Sequence, residues 1–242
     1  MARGFQEPGE KPRKFYSSVS VSEMNGGYGV TLDARVLRGP KGQPVVLPTL
    51  ALAQEVADEW ASQGEHLHLA RMHATRLANT AIESVPLARE STAQAIADYA
   101  ASDLLCYFAT DPGGLVERQQ RLWGPVLDQA QTEAGLEFVR AAGIVHQAQP
   151  RATLERVKAL ALELDDFGLT GLAFGAALFG SAVLALAVQR GWLSGEDAFA
   201  LSRLDEAWQE EKWGIDAEAA ERTERLSAEA AMLDRWFRGL AG

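Results

Sequence analysis

The chain has one cysteine in 242 residues, Cys106. No intrachain disulfide can form and a cysteine-based zinc site within one chain is excluded, which fits a reducing compartment. Positive charge is also scarce: 23 Lys and Arg stand against 33 Asp and Glu, for a net charge of -10 and a pI near 5.0. Nucleic-acid binding draws on massed cations that displace counterions from phosphates, so this balance argues against it and favours neutral or basic partners. Motifs of catalysis are missing too. There is no GxGxxG after a strand, no GxxxxGK[ST], no HExxH and no GxSxG. Nothing assembles a nucleophile, a base and an orienting group, so the residues make no positive case for an enzyme. His66-Leu67-His68 and His73 are a weak pattern for a metal site and read as surface or core histidines. Cys106 reads as a small core residue.

The opening "MARGFQEPGEKPRKFY" has no apolar run of the length of a secretory signal, and Glu7 and Glu10 are foreign to a transit peptide. Residues 1–14 read as a mobile arm, and the chain as cytoplasmic.

Beyond the arm the pattern is strand-like. Val19 and Val21 alternate with Ser18 and Ser20, and Tyr28, Val30 and Leu32 give a second strand. Asn25-Gly26-Gly27 between them supplies the positive φ angles of a tight hairpin. Residues 35–38 and 44–47 are expected to form a second pair around Gly39-Pro40-Lys41-Gly42, a turn whose proline removes a donor that an anion loop would need. Past Pro48 the period becomes helical: Leu52, Val56 and Trp60 follow a Thr49 cap and Gly64 ends the helix. A second helix over 70–85 carries Met72, Leu77, Ala81 and Val85. Pro86 is the strongest break, so the domains are set at 1–86 and 87–242. Beyond it helices are expected near 88–101, 115–134, 152–164, 168–190, 195–213 and 217–238, with 137–146 able to add a strand pair. The fold class is therefore α+β: a small N-terminal antiparallel sheet with helices, then a larger all-α helical domain.

Leu169 to Val188, "LTGLAFGAALFGSAVLALAV", is twenty residues without a charge, long enough for a bilayer. Its nine Leu, Phe and Val residues are worth about -3 to -5 kcal/mol on an insertion scale. Three glycines, Thr170 and Ser181 erode that gain, and no Lys or Arg cluster flanks the run. A wheel places Leu169, Leu172, Ala176, Phe179, Val183 and Leu186 on a bulky stripe and Gly171, Gly175, Ala182 and Ala185 on a small one. The reading is a central core helix whose small stripe admits a neighbouring backbone, with no stable membrane insertion.

The unusual polar stretch is "SGEDAFALSRLDEAWQEEKWGIDAEAAERTE". Ser194 with Asp197 makes an N-terminal cap, and Gly214 with Asp216 a stop and a new cap. Between them Leu201, Leu204 and Trp208 share one face, and Glu206, Glu210 and Trp213 another; the stretch reads either as two inward-packed tryptophans beside a solvated acidic face or as a partner-binding ridge of aromatic anchors with an acidic rim.

With "KFYSSVSV…GGYGVTLDARVLRGPKGQPVVLPTLALAQEVADEWASQGE", "RMHATRLANTAIESV", "ASDLLCYFA" and "LDEAWQEEKWG", in that order from Lys14 to about Ala220, the sequence resembles the assembly chaperones of the F1 sector of ATP synthase, those dedicated to the alpha subunit. Arg38-Gly39-Pro40 departs from the Arg-Thr-Pro of many members, though both suit a turn. The resemblance implies a soluble two-domain protein without catalysis or a required cofactor. It would act in a bacterial cytoplasm, or in the mitochondrial matrix as the organellar equivalent. Its implied partner is the newly made F1 alpha subunit, held by a free monomeric chaperone until the beta subunit takes its place. Carboxylates of Asp205, Glu206, Glu210 and Glu211 would pair with basic groups of the client, Glu206 foremost, with Trp208 and Trp213 as aromatic anchors. The competing reading is an enzyme or small-ligand protein with a site between the two domains, where Arg76, Asn79 and Asp103 converge.

Overall fold

The computed structural model describes residues 12–143 and 145–242; part of the expected N-terminal arm lies outside them. Strands β1 (Val19–Met24) and β2 (Gly27–Leu32) form an antiparallel hairpin whose turn is Asn25-Gly26. Gly26, at φ 95°, supplies the left-handed conformation that a side chain resists. β1 alternates half-buried Val19 and Val21 with exposed Ser20 and Ser22, whereas β2 buries Val30 and Leu32.

The expected second strand pair is corrected. β3 (Arg35–Val36) and β4 (Val46–Leu47) both add to the free edge of β2, at Thr31↔Val36 and at Tyr28↔Leu47. Between the two segments there is one isolated bridge, Arg38↔Pro44, made by the Gly39 N–H on the Gln43 carbonyl and the Val45 N–H on the Leu37 carbonyl, both at 2.8 Å; beyond it Val36 and Val46 pair with β2. The intervening loop does hold an anion, one of this chain's own: the N–H groups of Lys41 and Gln43 donate to the Glu83 carboxylate at 2.9 and 3.2 Å. A Cβ at Gly39 would stand 2.5 Å from that carboxylate.

Helix α1 (Leu50–Ala61) lies on this sheet, burying Leu52, Val56 and Trp60. It ends short of Gly64, at Ala61. Thr49 caps it as expected, accepting from the Leu52 N–H at 3.2 Å. Glu59 reaches from α1 to the start of α2 (His73–Glu83), accepting from the N–H groups of Ala74 and Thr75 at 2.7 and 2.8 Å. That carboxylate satisfies donors every helix start leaves open. α2 is shorter than the sequence suggests, because 3-10 turns occupy Leu69–Arg71 and Val85–Leu87.

The rest is helical: α3 (Arg89–Ala101), α4 (Gly113–Ala134), α5 (Arg151–Glu163), α6 (Asp166–Phe179), α7 (Ala182–Gln189), α8 (Gly195–Ser202), α9 (Leu204–Trp213) and α10 (Ala217–Ala241). Two short strands interrupt it. β5 (Tyr107–Phe108) pairs in parallel with β6 (Ala141–Ala142), so residues 137–146 supply one strand, separate from the N-terminal sheet.

The uncharged run is core, but it is two helices. Gly180 ends α6 in the left-handed region at φ 62°, and the Ser181 hydroxyl caps α7 by accepting from Leu184. Gly then Ser is a stop followed by a start, a signal hidden in the sequence by unbroken hydrophobicity. Among the described residues no helix is long and apolar enough to cross a membrane. The small stripe packs as expected. A Cβ at Gly171 would lie 2.9 Å from Phe237, and one at Gly175 2.9 Å from Leu233 and 3.1 Å from Ala185. Thus α10 and α7 both press on α6 through its glycines.

The second half of α10 closes the molecule. Leu233, Trp236 and Phe237 are buried on α6, while the Gly239 carbonyl accepts the Thr49 hydroxyl at 2.6 Å and Arg235 pairs with Glu55 at 2.7 Å. One hydrophobic core runs from Tyr16 through Phe237, on both sides of Pro86.

Candidate interaction surface

The polar stretch over 194–224 forms two helices and the start of a third, with Arg203 at the joint between α8 and α9. Its caps are those expected: Ser194 accepts from the Asp197 N–H at 3.0 Å and Asp216 from the Ala219 N–H at 2.8 Å. Gly214, at φ 83°, turns the chain between α9 and α10. Ser194 to α10 is therefore a helix, a helix and a return helix, the last buried in the core mainly over its second half.

One side of α9 is committed to α4. Leu204 is buried, and the Trp123 indole N–H donates to the Leu201 carbonyl at 3.0 Å just before it. Asp205 accepts from Gln119 Nε2 at 2.7 Å, and that fully buried glutamine uses its oxygen on the Ala109 N–H. The Trp208 ring covers Gly114, where a Cβ would come within 2.8 Å of it. Arg118 and Lys212 flank the same ring, each 5.1 Å from its centroid, a cation–π arrangement. Arg118 also pairs with Glu211 at 2.7 Å and holds that carboxyl below the usual glutamate range.

The opposite side carries a tie to α10. Arg203 bridges Glu210 and the Thr223 hydroxyl, both at 2.7 Å. Of the acids singled out in the sequence, Asp205, Glu210 and Glu211 thus have partners within the chain. Glu206 is exposed and has no hydrogen bond or ion pair among the described residues. The two tryptophans divide in the same way: Trp208 is half-buried, and Trp213 is 80% exposed with Ile215 near it at 49%.

Glu206 and Trp213 share a groove of about 970 Å³ between α9 and the first half of α10. Phe179, Phe199 and Leu226 are among its apolar residues, and Glu206, Glu210, Asp216 and Glu218 contribute carboxylates against Arg203 and Arg222. A groove with an exposed indole, an apolar base and an acidic rim suits a protein segment bearing apolar and basic side chains. The α10 wall and the supports Arg118 and Gln119 are not legible in the sequence. Their partners lie 93 and 86 residues away, and local pattern carries no such information.

Arg76, Asn79 and Asp103 do not converge. Arg76 lines a pocket with His73, Asn79 Oδ1 is buried beside Gly39, and Asp103 caps α7 through Val183 and Ser181. Cys106 is buried in the core. His73 lies 3.3 Å from Glu229, and among the described residues no three His, Cys, Asp or Glu side chains gather as metal ligands would.

Residues 13–131 match the family model of the ATP12 chaperone protein. Among solved structures, Atp12 from Paracoccus denitrificans is 39% identical, with 94% of this chain and 97% of that chain covered and a TM-score of 0.86. A protein from Agrobacterium tumefaciens, described as a putative chaperone, is 37% identical, covering 95% of this chain and 86% of its own, with a TM-score of 0.89. Among curated proteins, mitochondrial atp12 from Schizosaccharomyces pombe is 26% identical over 228 residues, 86% of this chain and 76% of that protein. With near-complete coverage at well over 30% identity and the same arrangement of elements, the chain belongs to the ATP12 chaperone family.

Proposed function

We propose that the protein is an assembly chaperone of ATP synthase, that its client is the newly made alpha subunit of the F1 sector, and that it holds this client until the beta subunit takes its place. The observation that carries this reading is the pairing of an exposed Trp213 with an unpartnered Glu206 over one groove, on a chain of the ATP12 chaperone family. A subunit destined for a ring exposes apolar interface while it waits, and such surface associates nonspecifically. Trp213 supplies an amphipathic anchor for that surface, while Glu206 pairs with a basic group of the client. Asp205, Trp208, Glu210 and Glu211 form the frame that fixes α9 against α4 and α10.

Handing on a client calls for a contact that forms quickly and is not permanent. Rim carboxylates in a chain of net charge -10 accelerate encounter with a basic face, and a groove open to solvent leaves the client replaceable. The beta subunit then competes by offering the alpha subunit its larger, final interface. The division of the chain near Pro86, a monomeric free state, the absence of catalysis and a bacterial cytoplasmic location belong to the same proposal.

The deciding experiment is co-expression with the alpha subunit alone. A stable soluble complex that the beta subunit dissolves is the expected outcome. An alpha subunit that stays insoluble, or a complex indifferent to beta, would refute the assignment of client.

A further inference from the structure

Helices α2, α3 and α6 and the turn at Val85–Leu87 enclose a second cavity of about 340 Å³, away from the groove between α9 and α10. It lies where residues on the N-terminal side of Pro86 meet those on the other side, and its size falls in the range of roughly 300–1,000 Å³ typical of small-molecule sites. Leu77, Val85 and Thr170 are buried at its base, and Ala173 and Phe174 form a half-buried wall. Hydroxyl residues line it as well, but the donors of its three threonines are spent. Thr80, Thr92 and Thr170 donate to the carbonyls of Arg76, Ala88 and Asp166 at 2.9, 2.8 and 2.6 Å, one helical turn back. Ser84 Oγ accepts from the Lys41 ammonium at 3.2 Å. The interior therefore offers apolar contact and little polar solvation.

The rim has the opposite character. Arg76 is exposed and its guanidinium has no ion pair or hydrogen bond among the described residues. Arg225, on α10, is likewise unpaired among them, and both cations lie near enough to act on His73. Burial first, and then these two cations, hold the His73 imidazole below the usual histidine range, with Glu229 opposing. Its buried Nδ1 stands 3.3 Å from Glu229 Oε1 without the geometry of a hydrogen bond. The apolar cavity thus has at its mouth a cation that no carboxylate of the described residues neutralises.

We propose that this cavity binds a small amphipathic monocarboxylate, with its apolar body against Leu77, Val85, Ala173 and Phe174 and its carboxylate on Arg76. A guanidinium presents a planar fork of donors that matches a carboxylate. A neutral hydrocarbon would leave that fork unused, a free phosphate would leave the apolar base unused, and a cation would be repelled. Because the walls come from α2 on one side and α6 on the other, an occupant fastens the two parts of the chain together. This site is independent of the client groove and stands or falls separately.

Octanoate titrated into the full-length protein tests it, with methyl NMR as the readout. Saturable shifts at the Leu77 and Val85 methyls are expected, with 1-octanol binding at least about tenfold more weakly, the scale of one charge-assisted contact. Arg76→Gln, an exposed substitution whose folding is verified by circular dichroism, should weaken octanoate about tenfold and leave 1-octanol unchanged. No saturable shift at millimolar octanoate, equal affinity for the alcohol, or an unaffected Arg76→Gln would each overturn the proposal. So would a Leu-Glu peptide that shifts these methyls when octanoate does not, since the cavity would then serve a protein segment.

Discussion

Asp103 and Ser181 lie 78 residues apart in sequence, and the serine hydroxyl donates to the aspartate carboxylate at 2.7 Å inside the protein. The same carboxylate accepts the N–H groups of Leu105 and Val183, both at 3.1 Å, so it closes the start of α7 from a different part of the chain. Complete burial nevertheless raises its carboxyl from 3.8 to about 6. A raised acid binds its proton more tightly folded than unfolded. Its contribution to stability is therefore full below about pH 3.8 and disappears as pH rises through about 6, a swing of about 3 kcal/mol. Denaturant unfolding from pH 4 to 7 should show wild type losing stability relative to Asp103→Asn as pH rises. A difference between the two that stays constant over this range would remove Asp103 from the account.

Gly175→Leu should destabilise the protein by about 1–3 kcal/mol, since even its Cβ would crowd Leu233 and Ala185. For a chain of this size that is a fall in Tm of roughly 2–4 °C per kcal/mol. An unchanged Tm would mean that α6, α7 and α10 are not in close contact there.

Trp208→Ala and Trp213→Ala should separate packing from binding. Trp208 covers Gly114 between two cations, so its loss should lower Tm. Trp213, at 80% exposure, should change stability by no more than about 0.5 kcal/mol but weaken alpha-subunit capture by about tenfold or more, as a contact anchor does. Equal Tm losses for the two would contradict this division.

Glu206→Lys should reduce alpha-subunit capture with circular dichroism unchanged, and the residual binding should depend less on salt. Glu211→Lys is the control. It loses an exposed ion pair to Arg118, a contact that solvent screens, and should affect capture less. Undiminished capture by Glu206→Lys would sink its assignment.

The parts of the fold legible in the sequence are those specified by neighbouring residues. Asn25-Gly26 announces the hairpin, and Thr49, Ser194 and Asp216 announce helix starts. Gly180-Ser181 carries the same kind of signal, but apolar residues on both sides make the run look continuous. The second strand pair is reduced to one bridge for a nonlocal reason: β2 offers a full edge to both segments. The acidic stretch is legible as a set of residues and not as a surface. Which acids are spoken for depends on Gln119, Arg118 and Arg203, and the first two lie on α4, far along the chain.

The hydrogen bond from Thr49 to Gly239 spans 190 residues and makes α10 a clasp. A Cβ at Gly239 would stand 3.0 Å from Leu52 of α1, and one at Gly171 of α6 2.9 Å from Phe237. One helix thus covers both the helix on the N-terminal sheet and the centre of the helical part. Lifting α10 would uncover the two together, so they share a single opening event.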